Sequence, residues 1–190
     1  MRTSESSPVK TFSVGNMPSQ QHALQNVGAI PKERPASFLG KETFASVVAS
    51  VPLVAIDLIL KNSRGRVLFG RRRNPPAQGY LFVPGGRIHK NETLDTAFSR
   101  ISRDELNLNI SRSNSRFTGV FEHFYDTDFQ GIRGKSTHYI VLAHSIQAQS
   151  DSFWLPLQQH SDYAWLNEED ISRHPDIHPY AKAYFTEEKI

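Results

Sequence analysis

One carboxylate in this chain stands where the helix pattern calls for an apolar residue. At about 100° per residue, Leu94, Ala97, Phe98, Ile101 and Leu108 form one stripe of a helix, and Glu105 falls in the middle of it. A charge on a core-facing side is costly unless a cation or strong donors compensate it. Two partners would serve: an arginine in a salt bridge, or a hard divalent cation, which prefers carboxylate and carbonyl oxygens. Gly85-Gly86 lies upstream, and glycine lets a bare carbonyl approach the same ion closely. Arg87 follows directly; its guanidinium can fork onto phosphate oxygens beside a metal, or lie on the surface. The run Arg71-Arg72-Arg73 poses a similar choice between a phosphate site and a solvated strand end. His160, in Gln158-Gln159-His160-Ser161-Asp162, is expected in a polar loop. There a neutral imidazole stays accessible and titrates near physiological pH, as a base or merely as a solvated side chain.

These groups need a scaffold, and the pattern supplies one. Lys41 to Ser50 reads as a short helix, with Phe44, Val47 and Val48 at helical spacing. Leu53 to Leu60 is a strand apolar on both faces, and Arg66 to Phe69 is its return across the turn at Asn62-Ser63-Arg64-Gly65. A loop through Asn74-Pro75-Pro76 leads to a short strand, Tyr80 to Val83, which Pro84-Gly85-Gly86 breaks as a turn. The helix carrying Glu105 ends near Leu106; strands follow at Phe117 to Tyr125, Thr137 to His144 and Tyr163 to Leu166, and Ile177 to Phe185 closes as a helix. The class is α/β, a mixed sheet with helices packed against it. Residues 1–36, rich in Ser, Pro and Gln, are expected to be a disordered extension, and 37–190 one domain.

Composition narrows the partners. A chain of 190 residues has room for one well-buried core. The excess charge of +3 is too small and too dispersed to argue for nucleic acid. The longest apolar run, Val51 to Leu60, is too short to cross a bilayer, so no membrane span is expected. With no cysteine, thiolate metal sites, cysteine nucleophiles and disulfides are excluded, which fits a cytoplasmic location.

Gly86, five residues, Glu92, seven residues, Arg100 and then Glu105 follow the frame of the Nudix box. In that pattern Gly-x5-Glu-x7-Arg precedes Glu-apolar-x-Glu-Glu-x-Gly-apolar. Here Ile101 stands at the first of the three clustered glutamates, Asp104 at the second, and Asn107 where glycine is usual; only Glu105 survives. The chain thus resembles the Nudix superfamily. It is most similar to the GDP-mannose mannosyl hydrolases within it, in this degenerate box and in five segments outside or overlapping it. These are Pro-Ala-Gln-Gly-Tyr at 76–80, Phe-Val-Pro-Gly-Gly-Arg at 82–87, His-Phe-Tyr-Asp at 123–126, Thr-His-Tyr at 137–139 and Gln-His-x-Asp-Tyr at 159–163.

The resemblance implies an α/β/α sandwich, a homodimer and a nucleotide-sugar substrate. It implies Mg²⁺, with Mn²⁺ as the alternative, on the Gly85 carbonyl, Glu105 and the Gln159 side-chain oxygen. Arg72 and Arg87 would hold the diphosphate, His160 would be the general base, and Asp57, His123 and Tyr139 would line the sugar and leaving-group side. Asp57 shares its strand face with Leu53, Ala55 and Ile59, where either sugar hydroxyls or a buried arginine would satisfy it. His123 and Tyr139 fit ligand contact and a polar core edge equally. The implied reaction is hydrolysis of a GDP-hexose at the anomeric carbon with inversion. A pyrophosphatase that uses Asp104 for a second cation, and a non-catalytic binding module, are the rivals.

Overall fold

The strand Leu53–Lys61 (β1) is apolar on both faces because both are covered: Val54 alone is exposed, and Lys61 at the end is half-buried. In the computed structural model, which describes residues 39–148 and 154–186, this strand lies inside a seven-stranded mixed sheet. A helix, Lys41–Ser50 (α1), precedes it. Then come Val67–Arg72 (β2), Leu81–Phe82 (β3), Gly85–Arg87 (β4), the helix Leu94–Leu106 (α2), Arg116–Thr127 (β5), Arg133–Gln147 (β6) and His160–Leu166 (β7). Two short helices, Glu168–Ile171 (α3) and Pro179–Lys182 (α4), and a 3-10 turn, Ala183–Phe185, complete the order.

β6 runs parallel to β1 along its whole length, from Leu53↔Tyr139 to Lys61↔Gln147, and β5 pairs antiparallel with β6 at the sheet's outer side. The other edge of β1 is shared. β2 meets it only at Lys61↔Val67, while β4 takes the stretch Ala55↔Arg87 to Asp57↔Gly85. β2 carries β3 and β7 beyond it. The two-residue period of β1 then sorts the core. Ile56, Leu58 and Leu60 cluster with Phe98, Ile101 and Leu106 of α2. Ile59 faces the other way, into a cluster with Phe69, Ile171, Ile177, Ala181 and Tyr184. Helical segments therefore cover both faces of the sheet, the α/β/α arrangement expected.

α2 has legible ends. Thr93 accepts a hydrogen bond from the Thr96 amide at 3.1 Å as its N-cap. Asn107 ends the helix in the left-handed region at φ 56°, the conformation for which asparagine is the common substitute for glycine. That accounts for Asn107 where the box usually has glycine.

Several boundaries differ from the expectation. Leu94 is 42% exposed, so the buried stripe of α2 starts at Ala97. Gly85-Gly86 is not a turn: both residues lie in β4, and neither has a positive φ. β2 continues through Arg72, and β7 starts at His160 rather than Tyr163. β5 and β6 run longer at both ends because hairpin pairing, not an apolar run, extends them. The closing helix is one short helix plus a 3-10 turn, and α3 was not anticipated. The described residues all belong to one compact unit; the extension expected at 1–36 lies outside them. No helix among the described residues is long and apolar enough to cross a membrane.

Candidate active site

A cleft of about 1070 Å³ is lined by Asp57, Arg72, Gly85, Arg87, Glu105, His123, Tyr139 and Gln159 together. Eight of the nine residues singled out in the sequence therefore converge. The ninth, His160, does not line it.

The three arginines of β2 and the loop after it divide their tasks. Arg71 pairs with Asp176 at 3.0 Å and with Asp162 at 3.5 Å on the surface. Arg73 donates to the His160 carbonyl at 3.1 Å, and so ties the start of β7 to the end of β2. Only Arg72 enters the cleft, held by donation from Nε to the Pro76 carbonyl at 2.9 Å. Arg87 lies with its guanidinium 4.0 Å from the Phe44 ring centroid, a cation–π contact that orients it from one side.

Glu92 and Arg100 form the structural half of the box. Arg100 donates from Nε and Nη2 to the Glu92 carboxylate at 2.6 and 2.9 Å, and from Nη2 to the Arg87 carbonyl at 2.7 Å. Glu92 also accepts the His89 amide at 2.8 Å. This fork fixes the chain around Arg87 against α2. Ile101, at the first glutamate position, is fully buried and packs on Gly86, where even a Cβ would meet its Cγ1 at 3.3 Å. Asp104 is half-exposed and pairs with Arg103 at 3.4 Å and Arg100 at 3.7 Å.

Glu105 remains. It is 8% exposed, and among the described residues its one ion-pair neighbour is His160 Nδ1 at 3.9 Å. The arginine salt bridge that would have explained it in structural terms is absent among those residues. Burial raises its pKa to about 7, with Arg72 as the main opposing charge. The Gly85 backbone and Gln159 line the same cleft, with Gln159 Oε1 accepting from Asn74 Nδ2 at 3.2 Å. Among the described residues no three acidic, histidine or cysteine side chains gather into a metal cage. A set of one carboxylate, one peptide carbonyl and one amide oxygen suits a hard cation such as Mg²⁺, which keeps waters and takes substrate phosphates as further ligands.

His160 departs furthest from expectation. The register of β2 against β7 slips between Gly70↔Tyr163 and Arg72↔His160, so two steps on β2 oppose three on β7. Such a bulge turns a side chain to the face it would not otherwise occupy. It brings the His160 ring to Tyr163, with Nδ1 3.1 Å from the phenol oxygen, and buries it to 1% exposure. Gly70 makes room, because a Cβ there would collide with the imidazole Cγ and Cδ2. The accessible loop histidine titrating near neutrality is thus corrected to a buried one, its pKa lowered to about 4 by burial and by Arg72. Its Nε2 has no hydrogen-bond partner among the described residues.

Asp57 is buried and faces the cleft from β1. Its partner is not an arginine but the Tyr184 hydroxyl, which donates to Oδ2 at 2.5 Å. Burial lifts its pKa to about 6 against that hydrogen bond and the Arg72 charge. Gly85 is required opposite it, since a Cβ would strike the Asp57 carboxylate and come within 2.8 Å of the Ile56 carbonyl. His123, on β5 in register with Tyr139 of β6, is buried and held neutral, its pKa lowered to about 3 by burial. Gly70, Tyr163 and Tyr184 were not foreseen. Gly70 and Tyr184 act through partners distant in sequence, and Tyr163 through His160 three residues away across the bulge; no local period marks any of them.

Fold and cleft together define an α/β protein whose cleft sets two arginines beside a metal-compatible carboxylate. The NUDIX domain model matches residues 51–187, and the chain belongs to the Nudix hydrolase family, whose members generally use divalent metals. It is 37% identical over 153 residues to the low-salt glycan biosynthesis protein Agl8 of Haloferax volcanii, covering 80% of this chain and 92% of that one. The fold matches a MutT protein from Methanosarcina mazei Go1 with a TM-score of 0.57 at 18% identity, over 72% of this chain and 92% of the other. It also matches a MutT Nudix hydrolase from Burkholderia pseudomallei with a TM-score of 0.57 at 18% identity, over 72% and 97%.

Proposed function

We propose that the chain hydrolyses a GDP-hexose, GDP-mannose first, at the anomeric carbon, releasing GDP and free sugar with inversion. The observation that carries this reading is the redistribution of carboxylates. Ile101 is core and Asp104 is engaged by two arginines, which leaves Glu105 as the one buried acid of the box, while a second buried acid, Asp57, enters the cleft from β1. Displacing a diphosphate from carbon requires charge neutralisation on the leaving group and one activated water on the opposite face of the sugar. Held by Glu105, Gly85 and Gln159, Mg²⁺ would supply part of that neutralisation. Arg72 and Arg87 add fixed positive donors to the diphosphate. Asp57, His123 and Tyr139 bind the sugar side. The Haloferax relative is a glycan biosynthesis protein, which is consistent with a nucleotide-sugar substrate. The homodimer and the cytoplasmic location belong to the same reading.

We assign the base to His160. The Tyr163 hydroxyl donates to the Pro156 carbonyl at 2.6 Å, so its oxygen can only accept from His160, and Nδ1 carries the hydrogen. Nε2 is left with a bare lone pair, the form a base needs. For it to act, the surroundings of Nε2 must shift enough to admit one water. The seclusion of Nε2 favours a second reading, in which the chain binds the nucleotide sugar without turning it over. One experiment separates these. GDP-mannose is incubated with enzyme and Mg²⁺ in ¹⁸O-water, and the expected products are GDP without label and mannose labelled at C1. Label in a phosphate would replace this reading with the pyrophosphatase. Saturable binding with no product would favour the binding module. His160→Gln should lower kcat by about 10²–10⁴-fold with KM near wild type.

A further inference from the structure

Tyr184 touches two cleft-lining groups at once. It comes from the 3-10 turn near the end of the described chain, is buried, and reaches the cleft floor from the face opposite α2. Its hydroxyl donates to Asp57 Oδ2 and lies 3.1 Å from His123 Nε2. A phenol has one hydrogen. With that hydrogen committed to Asp57, the oxygen offers His123 only lone pairs, so the second contact is a hydrogen bond only when Nε2 carries the imidazole hydrogen. Nδ1 is then a bare acceptor. The ring cannot turn freely to exchange the two nitrogens, because it stacks on Tyr180 at 4.5 Å and 10° and meets Phe82 edge-on at 5.8 Å.

We infer that Tyr184 is the positioning residue of the sugar subsite: it orients Asp57 and His123 together so that both face the cleft as hydrogen-bond acceptors. The inference rests on the reading above, in which a sugar occupies this end of the cleft. Two fixed acceptors select a ligand that brings two hydroxyl donors, as a hexose does. They disfavour a group that brings only lone pairs, such as a further phosphate or a carboxylate. A buried acceptor also penalises an analogue lacking the matching hydroxyl, because it is then left unpaired. Tyr184 does not touch the diphosphate side, so its effect should fall on the sugar alone.

The test begins with the unaltered full-length protein. Long-range ¹H–¹⁵N correlation on ¹⁵N-histidine-labelled enzyme reads the tautomer of His123, expected as Nε2–H; a dominant Nδ1–H form would overturn the inference without any variant being made. In Tyr184→Phe the His123 signals should move toward a mixture of tautomers. Its kcat/KM for GDP-mannose should fall by about 10–100-fold, the scale of one charge-assisted hydrogen bond. Inhibition by GDP should stay within about twofold of wild type, since Arg72 and Arg87 are untouched. Monodeoxy GDP-mannoses complete the test: the hydroxyl whose deletion the wild type penalises should matter several-fold less in Tyr184→Phe. An unchanged penalty, or equal losses for GDP and substrate, would reduce Tyr184 to a structural residue. Absence of turnover in the wild type would sink the proposed function, while the tautomer measurement would still decide this inference.

Discussion

Glu92 and Glu105 are both glutamates of one box, yet their surroundings assign them different work. Glu92 is satisfied by the Arg100 fork and the His89 amide and has little capacity left for a ligand. Glu105 is buried and makes no ion pair with a lysine or arginine among the described residues, so its carboxylate is available to a cation. We expect Glu105→Gln to lower Mg²⁺-dependent turnover by about 10²–10³-fold, the scale of losing one electrostatic stabiliser in an active site. The same change should raise thermal stability slightly without metal, since it removes a buried charge. Glu92→Gln should instead cost about 1–3 kcal/mol of stability through its charge-assisted bonds, with activity at low temperature largely kept. Isothermal titration with Mg²⁺ and thermal melts of both variants check this division. Equal loss of metal affinity in the two would refute it.

At the scale of elements, the active site is built where regular pairing stops. β1 exchanges β2 for β4 along one edge, and β7 slips against β2. The first irregularity brings Gly85 opposite Asp57 and Arg87 opposite Ala55, and the second turns His160 inward beside Glu105. Both depend on a glycine for close approach rather than for a turn, as Gly85 and Gly70 have no side chain to keep Asp57 and His160 away. Gly70→Ala should therefore cost about 1–3 kcal/mol as an overpacked site and displace the His160 ring. The measurement is the denaturation midpoint together with kcat on GDP-mannose. A variant as stable and as active as wild type would mean that the imidazole yields freely.

At the scale of the molecule, histidines with a lowered pKa outnumber carboxylates with a raised one among the described residues, and this sets the response to acid. Burial lowers His123 to about 3, His160 to about 4 and His178 to about 4, and lowers His89 and His144 as well, from an ordinary 6.5. Below that value the unfolded chain takes up protons that the folded chain refuses, so stability falls as pH falls. Asp57, at about 6, and Glu105, at about 7, work the other way: folded, they take up protons before the unfolded chain does, and acid stabilises through them. Five groups oppose two. Between about pH 6 and pH 4.5 the unfolded state holds the greater number of protons, and each excess proton contributes a slope of about 1.4 kcal/mol per pH unit. The melting temperature of the metal-free protein should therefore drop steadily through that window. The slope should be shallower in His144→Gln, whose side chain does not line the cleft. A flat or rising profile would contradict the sign.

What the sequence by itself determined is what local periodicity and spacing encode. α1 and α2 follow from apolar residues at helical intervals, and β1 from an apolar run too short for a helix. Glu105 stood out because it breaks the stripe of its own helix, and the box frame around it needs no tertiary knowledge to see. The tertiary structure alone decided that Gly85-Gly86 is a strand, that Leu94 faces outward and that His160 is buried. It also decided that Asp57 is answered by Tyr184, 127 residues away along the chain. The physical reason is the same in each case. A period reports how one element meets its nearest neighbours, whereas burial at a bulge, a glycine's close approach and a hydrogen bond between two faces of a sheet depend on where remote segments come to rest.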